Sequence, residues 1–587
     1  MTEAEKKNCQ NCHVQFVIEP DDFLFYERIS VPPPTFCPDC RLQRRLMFRN
    51  ERSLSRTPCA LCGKQTLSMY SPERPAVVYC VECWWADSWD ASQYGRNYDF
   101  SKPFFEQYKE LLAVVPRQGV FIINGAGTMF ANFSRDAKNI YLSYSALGSE
   151  NVSYSKNVDK SFWIMDSFDV SGSENCYEVV EGDKDYSCQF LSRSRNCIDS
   201  AFLYDCTNCQ HCFMCTGLRN KEYCVRNRDV SKDEYEAEIF SFQSGSFSAV
   251  ETLRAEFRGF IERAIHRYAY IVNSPGCTGE NIQNSKNAFM AFDARNLENA
   301  KYQFRSIGGK DIMDAVNAGP GNELFYEFIN GGSINSSLIR FTTNGSDALR
   351  DTYYTDFCRT SSNLFGCAGL RNKRYCVLNK EYSKEEYEAL VPRIKKHMDD
   401  MPYTDAGGRV YRYGEFFPPE LSFFAYNETL AQEYFPLTKE GATAKGFAWR
   451  ELVARDYQPT RSWKDLPDRI ADADDSLANE IILCRSWDAD AETALQHTCT
   501  KAFRITPEDL AFYRRMNLPL PRLCPNCRHY ERLKQRNPLK LWHRQCMCDK
   551  TTHQHGEKPC TQEFETSYAP ERKEIVHCEQ CYNSEVV

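Results

Sequence analysis

Apolar and polar positions follow three rhythms along this chain, and each predicts a different kind of element. Between about 135 and 382, short runs such as Asn139-Ile-Tyr-Leu-Ser-Tyr144 and Ser161-Phe-Trp-Ile-Met165 are separated by turns bearing Asn, Ser, Asp and Gly. Runs that short, broken that often, predict strands. In AVETLRAEFRGFIERAIHRYAYIV, by contrast, Leu253, Phe257, Phe260, Ile261, Ile265 and Tyr268 share one helical face. Residues 231–271 therefore read as a charged helix followed by a longer amphipathic one, and 383–399 as a shorter partner. These helices either cap the open ends of the strand region, whose edges would otherwise invite aggregation, or form a dimer face. The third stretch, 401–480, is aromatic and proline-marked (GEFFPPELSFFAYNET) with little periodicity, and reads as an ordered connector.

The strand region is duplicated. GLRNKEYCV (217–225) returns as GLRNKRYCV (369–377), 152 residues on, and ENVSYSKN (150–157) resembles ENIQNSKN (280–287). Cysteines recur every nine residues at 188, 197, 206, 215 and 224, and again at 358, 367 and 376. A side chain returning at nine and eighteen residues predicts a parallel β-helix of about eighteen-residue coils, in which equivalent positions stack. Within it, Cys206, Cys209, Cys212 and Cys215 are spaced like an iron–sulfur ligand run without the usual ending. Stacking inside the solenoid, a zinc site and a cluster are the three readings of that run.

The ends carry the clearest chemistry. Cys9/Cys12, Cys37/Cys40, Cys59/Cys62 and Cys80/Cys83 are four C-x2-C pairs within the first hundred residues. That spacing lets two thiolates on a tight knuckle grip one Zn²⁺, so eight thiolates predict two four-cysteine sites. The last hundred residues repeat the design: the spacing Cys12 to Cys37 recurs as Cys499 to Cys524, and Cys40 to Cys59 as Cys527 to Cys546. At a constant offset of 487, Phe16, Ile18, Phe25, Tyr26, Pro38 and Asn50 also recur. The second copy diverges at Gln496, where a partner for Cys499 is due. Either Cys484, across an insertion, or His497 fills the place, and Cys484 is preferred. The third pair shortens to Cys546 and Cys548, and Cys578 with Cys581 completes the predicted C-terminal set. The loop before Tyr568 adds His553, His555 and Cys560, which form either a third site or a solvated loop. About four structural Zn²⁺ per chain are expected.

After the second knuckle of each module, Arg41, Arg45 and Arg49, and likewise Arg528, Arg532 and Arg536, fall about one helical turn apart. Such a face either grips nucleic-acid phosphates or is a solvated surface paired with acids of its own module, such as Asp22 and Glu27. Charge favours the second reading. The formal charge is −8, but residues 1–100 hold 12 Lys/Arg against 13 Asp/Glu and residues 484–587 hold 16 against 14. The acidity lies in the middle, which opposes wrapping by a polyanion.

These readings divide the 587 residues into a double-zinc module (1–100), a helical linker (101–134), two solenoid halves (135–230 and 273–382) separated by a helical insertion (231–272), a helix and connector (383–480), and a second double-zinc module (481–587). The fold class expected is mainly β with helical insertions, with zinc-ribbon or treble-clef modules at both termini. The 29 cysteines without a secretory leader predict a reducing, cytoplasmic setting. No run of 18 apolar residues predicts a membrane span.

With CPDCRLQRR…RN (37–50), the two GLRNKxY phrases and YGEFFPPELSFFAYNET (413–429), the chain resembles a group of bacterial zinc-ribbon proteins known mainly from environmental genomes. The resemblance covers nearly the whole length. It implies the zinc modules and brings no activity. The C-terminal copy departs from the pattern at Glu531, where the N-terminal copy has Arg44. Three functions are weighed: a non-enzymatic scaffold that binds a protein partner or itself; a nucleic-acid-associated factor using the arginine faces; and a hydrolase or carbohydrate-active β-helix enzyme using His553 and His555. Nucleophile elbow, H-E-x-x-H, phosphate loop and dinucleotide fingerprint are all missing from the sequence, which places the enzyme last.

Overall fold

The middle of the chain is built on a three-residue rule. In the computed structural model, which describes residues 3–586 apart from residues 75, 243–244, 346 and 454–455, a residue with left-handed φ recurs at every third position from Asn124 to Arg226. Each one turns the backbone, so the residue that follows faces the same interior. Ile140, Ser143, Ala146, Ser149, Val152 and Ser155 are accordingly all buried. Asn and Asp tolerate the left-handed positions well. Bulky residues such as Tyr154 and Trp163 also sit there, at a cost on the order of 1–2 kcal/mol each. Hydrogen bonds between repeats oppose that cost: the Tyr154 N–H donates to the Tyr141 carbonyl at 3.0 Å.

Four such steps make a repeat. Neighbouring strands are parallel with a register of twelve residues, Tyr144 beside Lys156 and Lys156 beside Phe168. This corrects the expected eighteen-residue period. Cysteines return every nine residues because nine is a multiple of three, which keeps them facing inward without marking a full repeat. Serine explains why they fit. The Ser143 hydroxyl donates to the carbonyls of Tyr141 and Val152 and accepts from the Ser155 N–H. The Cys188 thiol donates in the same way to Tyr186 and Cys197.

The second parallel sheet follows the same rule with interruptions, as where Asn317 is followed by Gly321 and Asn344 by Ala348. Its register is twelve residues at Gly279–Ala291, widens to fourteen at Glu323–Ser337 and returns to twelve at Arg350–Ser362. The two GLRNKxYCV phrases end the two sheets identically. Glu222–Val225 pairs antiparallel with Arg228–Asp229, and Arg374–Val377 with Lys380–Glu381.

Two boundaries differ from expectation. Helix Phe104–Val114 lies in the expected linker, but parallel pairing has already begun by Ile122–Ile123. The connector is a core element: Tyr411, Phe416, Phe417 and Tyr426 share one buried cluster with the N-terminal module and the second sheet. Helices Lys232–Phe242 and Phe247–Arg263 cover the aromatic flank of the first sheet, with Phe242 and Phe257 each 5.6 Å from Phe202. The end modules dock crosswise. The N-terminal one shares its core with the second sheet, and the C-terminal one with the first. Among the described residues, no helix is long and apolar enough to cross a membrane.

Candidate metal centres and the arginine docking faces

Each knuckle lies at the tip of a short antiparallel hairpin, such as Glu5–Asn8 with Gln15–Ile18, or at the start of a helix, such as Pro38–Leu46, capped by Cys37. These elements bring together Cys9, Cys12, Cys37 and Cys40; Cys59, Cys62, Cys80 and Cys83; and Cys484, Cys499, Cys524 and Cys527. A fourth group is Cys546, Cys560, Cys578 and Cys581, and within every group the sulfurs lie within 4.8 Å of one another. Four sulfurs, each about 2.3 Å from one tetrahedral zinc, would stand about 3.8 Å apart. The structure gives 3.6 Å for Cys12–Cys37, 3.8 Å for Cys484–Cys527, 3.6 Å for Cys499–Cys524 and 3.9 Å for Cys560–Cys578. A disulfide would need about 2.05 Å. Backbone N–H groups point at the sulfurs, Cys80 at Cys59, Cys524 at Cys484 and Cys578 at Cys546, each at 3.2 Å. Such donors favour thiolate, the form a metal binds. The four donor sets therefore fit tetrahedral metal ions.

Two sequence assignments are decided by this geometry. Cys484 completes the third group, while His497 stacks on Tyr530 with centroids 4.8 Å apart. Cys548 does not join the fourth group as assigned, and Cys560 takes its place. The knuckle that is Cys59-x2-Cys62 at the other end has been opened by an insertion, so its two cysteines are now 546 and 560. A legible signal existed, because Cys560 precedes Cys578 by the same eighteen residues that separate Cys62 from Cys80. Cys548 instead faces His553, His555 and Cys581 in a fifth group.

The run Cys206, Cys209, Cys212 and Cys215 occupies four successive inward positions. Each thiol donates to backbone carbonyls, Cys206 for instance to Tyr204 and Cys215. Among the described residues, none of the metal-compatible groups includes these four.

Both readings of the arginine faces need correction. Arg41, Arg45, Arg49, Arg528 and Arg532 are buried, and Arg536 is half-buried. Their partners come mostly from outside their modules. The Arg41 Nε donates to Asp314 at 2.9 Å, and Arg45 pairs with Asp314 at 3.0 Å and Glu327 at 2.7 Å. At the other end, Arg528 and Arg532 both donate to one oxygen of Asp166 at 2.9 Å. Asp166 and Asp314 each hold a left-handed position in their respective sheets. The agreement extends further, since Arg41 lies over Tyr302 at 5.2 Å and Arg528 over Tyr154 at 4.8 Å. Burial opposes the charge on Arg41, yet Asp314 holds its pKa well above the usual value.

The departure at Glu531 is now explained. Arg44 pairs with Glu327 and Glu415, whereas Glu531 is exposed beside Lys534.

Where the modules meet between the sheets, Arg49 donates to Glu51 at 2.6 Å, and Lys156, fully buried, bridges Glu51 at 2.9 Å and Glu433 at 2.5 Å. Arg536 donates to the Glu433 carbonyl and lies 3.7 Å from the Tyr434 ring. Burial would raise Glu51, but Lys156, Arg49 and Arg305 hold it well below the ordinary carboxylate range.

A cavity of about 150 Å³ lies between the two sheets, lined by Asp159, Asp169, Asp293, Arg195, Arg295 and Arg305 among others. Burial pushes Asp169 up to about 6 and lifts Asp293 well above its ordinary value. Asn157 donates to Asp169 at 2.6 Å and Asn281 to Asp293 at 3.0 Å, from different places in the two resembling asparagine phrases.

No family model matches the chain, and no curated protein matches it. One solved structure similar to it is described as a "putative acetyltransferase from Desulfovibrio desulfuricans G20", at 9% identity over 52% of this chain and 79% of that one. The TM-score is 0.10. A likeness at that level carries no conclusion about fold or activity.

Proposed function

We propose that this protein is a non-enzymatic, zinc-stabilised scaffold. Two zinc-ribbon or treble-clef modules clamp the two halves of a duplicated twelve-residue β-solenoid. The observation that carries this reading is the closure of the four thiol groups. A tetrahedral ion held by four cysteines has no open position for water or substrate, so its contribution is to folding. Zinc suits the donors, because four thiolates in a tetrahedron favour zinc or iron–sulfur chemistry and single ions fit separate groups of four. Thiols gathered for metal rather than joined to one another fit a reducing, cytoplasmic setting.

The buried arginines support a structural role for the modules, since Arg41, Arg45, Arg49, Arg528 and Arg532 are engaged with Asp166, Asp314, Glu327 and Glu51, and Arg536 with the Glu433 carbonyl. A protein partner or a second copy of the chain is the ligand class this reading assigns to the solenoid. Phe162, Tyr186 and Ile198 are exposed along one stacked row of the first sheet. Metal analysis of the full chain, purified without added metal, tests the proposal. At least about four zinc ions per chain are expected, and their removal by chelator should unfold both ends. One zinc or fewer, or stoichiometric iron with a visible chromophore, overturns it.

A further inference from the structure

The fifth group draws three of its four ligands from the insertion that opens the Cys546/Cys560 knuckle. Cys548 Sγ, one nitrogen each of His553 and His555, and Cys581 Sγ all lie within 4.8 Å of one another. Cys581 also belongs to the group with Cys546, Cys560 and Cys578. We propose that the C-terminal module holds a two-ion centre in which the Cys581 thiolate bridges a four-sulfur zinc and a second zinc bound by Cys548, His553 and His555. The proposal rests on the zinc reading above and extends it.

The orientation of the two imidazoles carries the argument. His553 Nδ1 stands 3.1 Å and His555 Nε2 3.4 Å from the Cys548 sulfur, so each ring turns one nitrogen inward. The outward nitrogens are both engaged. His553 Nε2 pairs with Glu585 at 2.8 Å, and His555 Nδ1 lies 2.6 Å from the Lys558 carbonyl. Carboxylate and carbonyl oxygens only accept, so the neutral form of each ring carries its proton on the outer nitrogen and presents a lone pair inward. That arrangement of outer acceptor, imidazole and inner lone pair is how metal-ligating histidines are set. Glu585 is itself held by Lys550 at 2.6 Å.

Burial points the same way. Cys548 is 1% exposed, although it lies in a loop of Asp, Lys, Thr, Gln and Gly with little apolar matter to cover it. Two nitrogens and two sulfurs in a closed set suit zinc, again as a structural ion. The insertion thus supplies the ligands that would pin it to the module. The N-terminal module has no such insertion, so the two ends would carry two and three ions.

The test compares zinc content in the full-length protein and its variants. About five ions per chain are expected for the natural sequence, and about four for the double variant His553→Gln, His555→Gln and for Cys548→Ser. Cobalt substitution gives an independent readout. The double variant should lose the component of a mixed nitrogen–sulfur site and keep that of four-sulfur sites. Cys581→Ser should release both ions of the pair, which a non-bridging ligand would not do. If that variant fails to fold, the histidine pair and Cys548→Ser still decide the matter. About four zinc ions in the natural protein, unchanged in the double histidine variant, would overturn the second ion while leaving the scaffold reading intact. One ion or fewer would overturn both.

Discussion

Replacing Asp166 with Asn should loosen the C-terminal module from the first sheet without touching any metal ligand. Asn keeps the shape of the side chain and tolerates the left-handed backbone at this position (φ 52°). The loss is electrostatic. One buried carboxylate oxygen accepts from both Arg528 and Arg532 at 2.9 Å, and all three side chains are almost fully covered. Breaking a buried pair by removing one partner costs about 3–5 kcal/mol. Here some compensation survives, since Arg532 still donates to the Tyr154 carbonyl at 2.8 Å and Arg528 to the Leu523 carbonyl at 3.1 Å. The amide oxygen also retains one acceptor role. The lower end of the range, about 3 kcal/mol, is therefore expected. Hydrogen exchange over residues 524–537 would read it as a loss of protection, alongside an unchanged zinc content. Adding Arg528→Met and Arg532→Met to Asp166→Asn should recover part of the loss, because it removes the two stranded charges and keeps a residue that tolerates the left-handed backbone. A cost below about 1 kcal/mol, the size of an exposed pair, would refute the claim that these arginines are docking groups.

Three further outcomes follow from other contacts. Burial and the nearby Arg193 depress the His266 pKa from 6.5 to about 4, so the fold holds the neutral ring. The unfolded chain takes up the proton first, so this stability is present above pH 6.5 and lost as pH falls toward 4. The loss should total about 3 kcal/mol, and His266→Gln should flatten that part of the pH–stability curve. In the first sheet, Cys197→Ser should cost under about 1 kcal/mol in urea unfolding, since Ser143 and Ser149 make the same contacts in other repeats; a large loss together with bound iron would contradict the stacked-thiol account. Arg41→Gln should lower thermal stability while leaving the chain without submicromolar affinity for an unrelated oligonucleotide. Tight binding at physiological salt, abolished by the change, would restore the nucleic-acid reading.

The knuckles, the duplication of the end modules and the choice of Cys484 are legible in the chain because thiolate spacing is local and recurs at a constant offset. The insertion hid Cys560, since Cys548 was a nearer candidate after Cys546. The three-residue rule was obscured in a different way. Inward positions accept Ser, Val, Ala, Ile and Cys alike, so only the cysteines stand out, and their nine-residue series samples every third inward position, while the run Cys206, Cys209, Cys212 and Cys215 fills four in a row. The arginines were visible but their partners were not. Asp314 lies 273 residues from Arg41 and Asp166 lies 362 from Arg528. A near-neutral module also hid the fact that its cations face inward to acids of the middle body. The acidity of that body reads as unfavourable for a polyanion, and in the folded chain part of it pairs with the buried arginines of the modules.

The most direct test of the account is the metal content of the full chain purified without added metal, measured together with its folding after chelation. The account predicts at least about four zinc ions per chain, no iron, and the unfolding of both end modules once zinc is withdrawn. One zinc ion or fewer, stoichiometric iron, or end modules that stay folded after complete metal removal would contradict it.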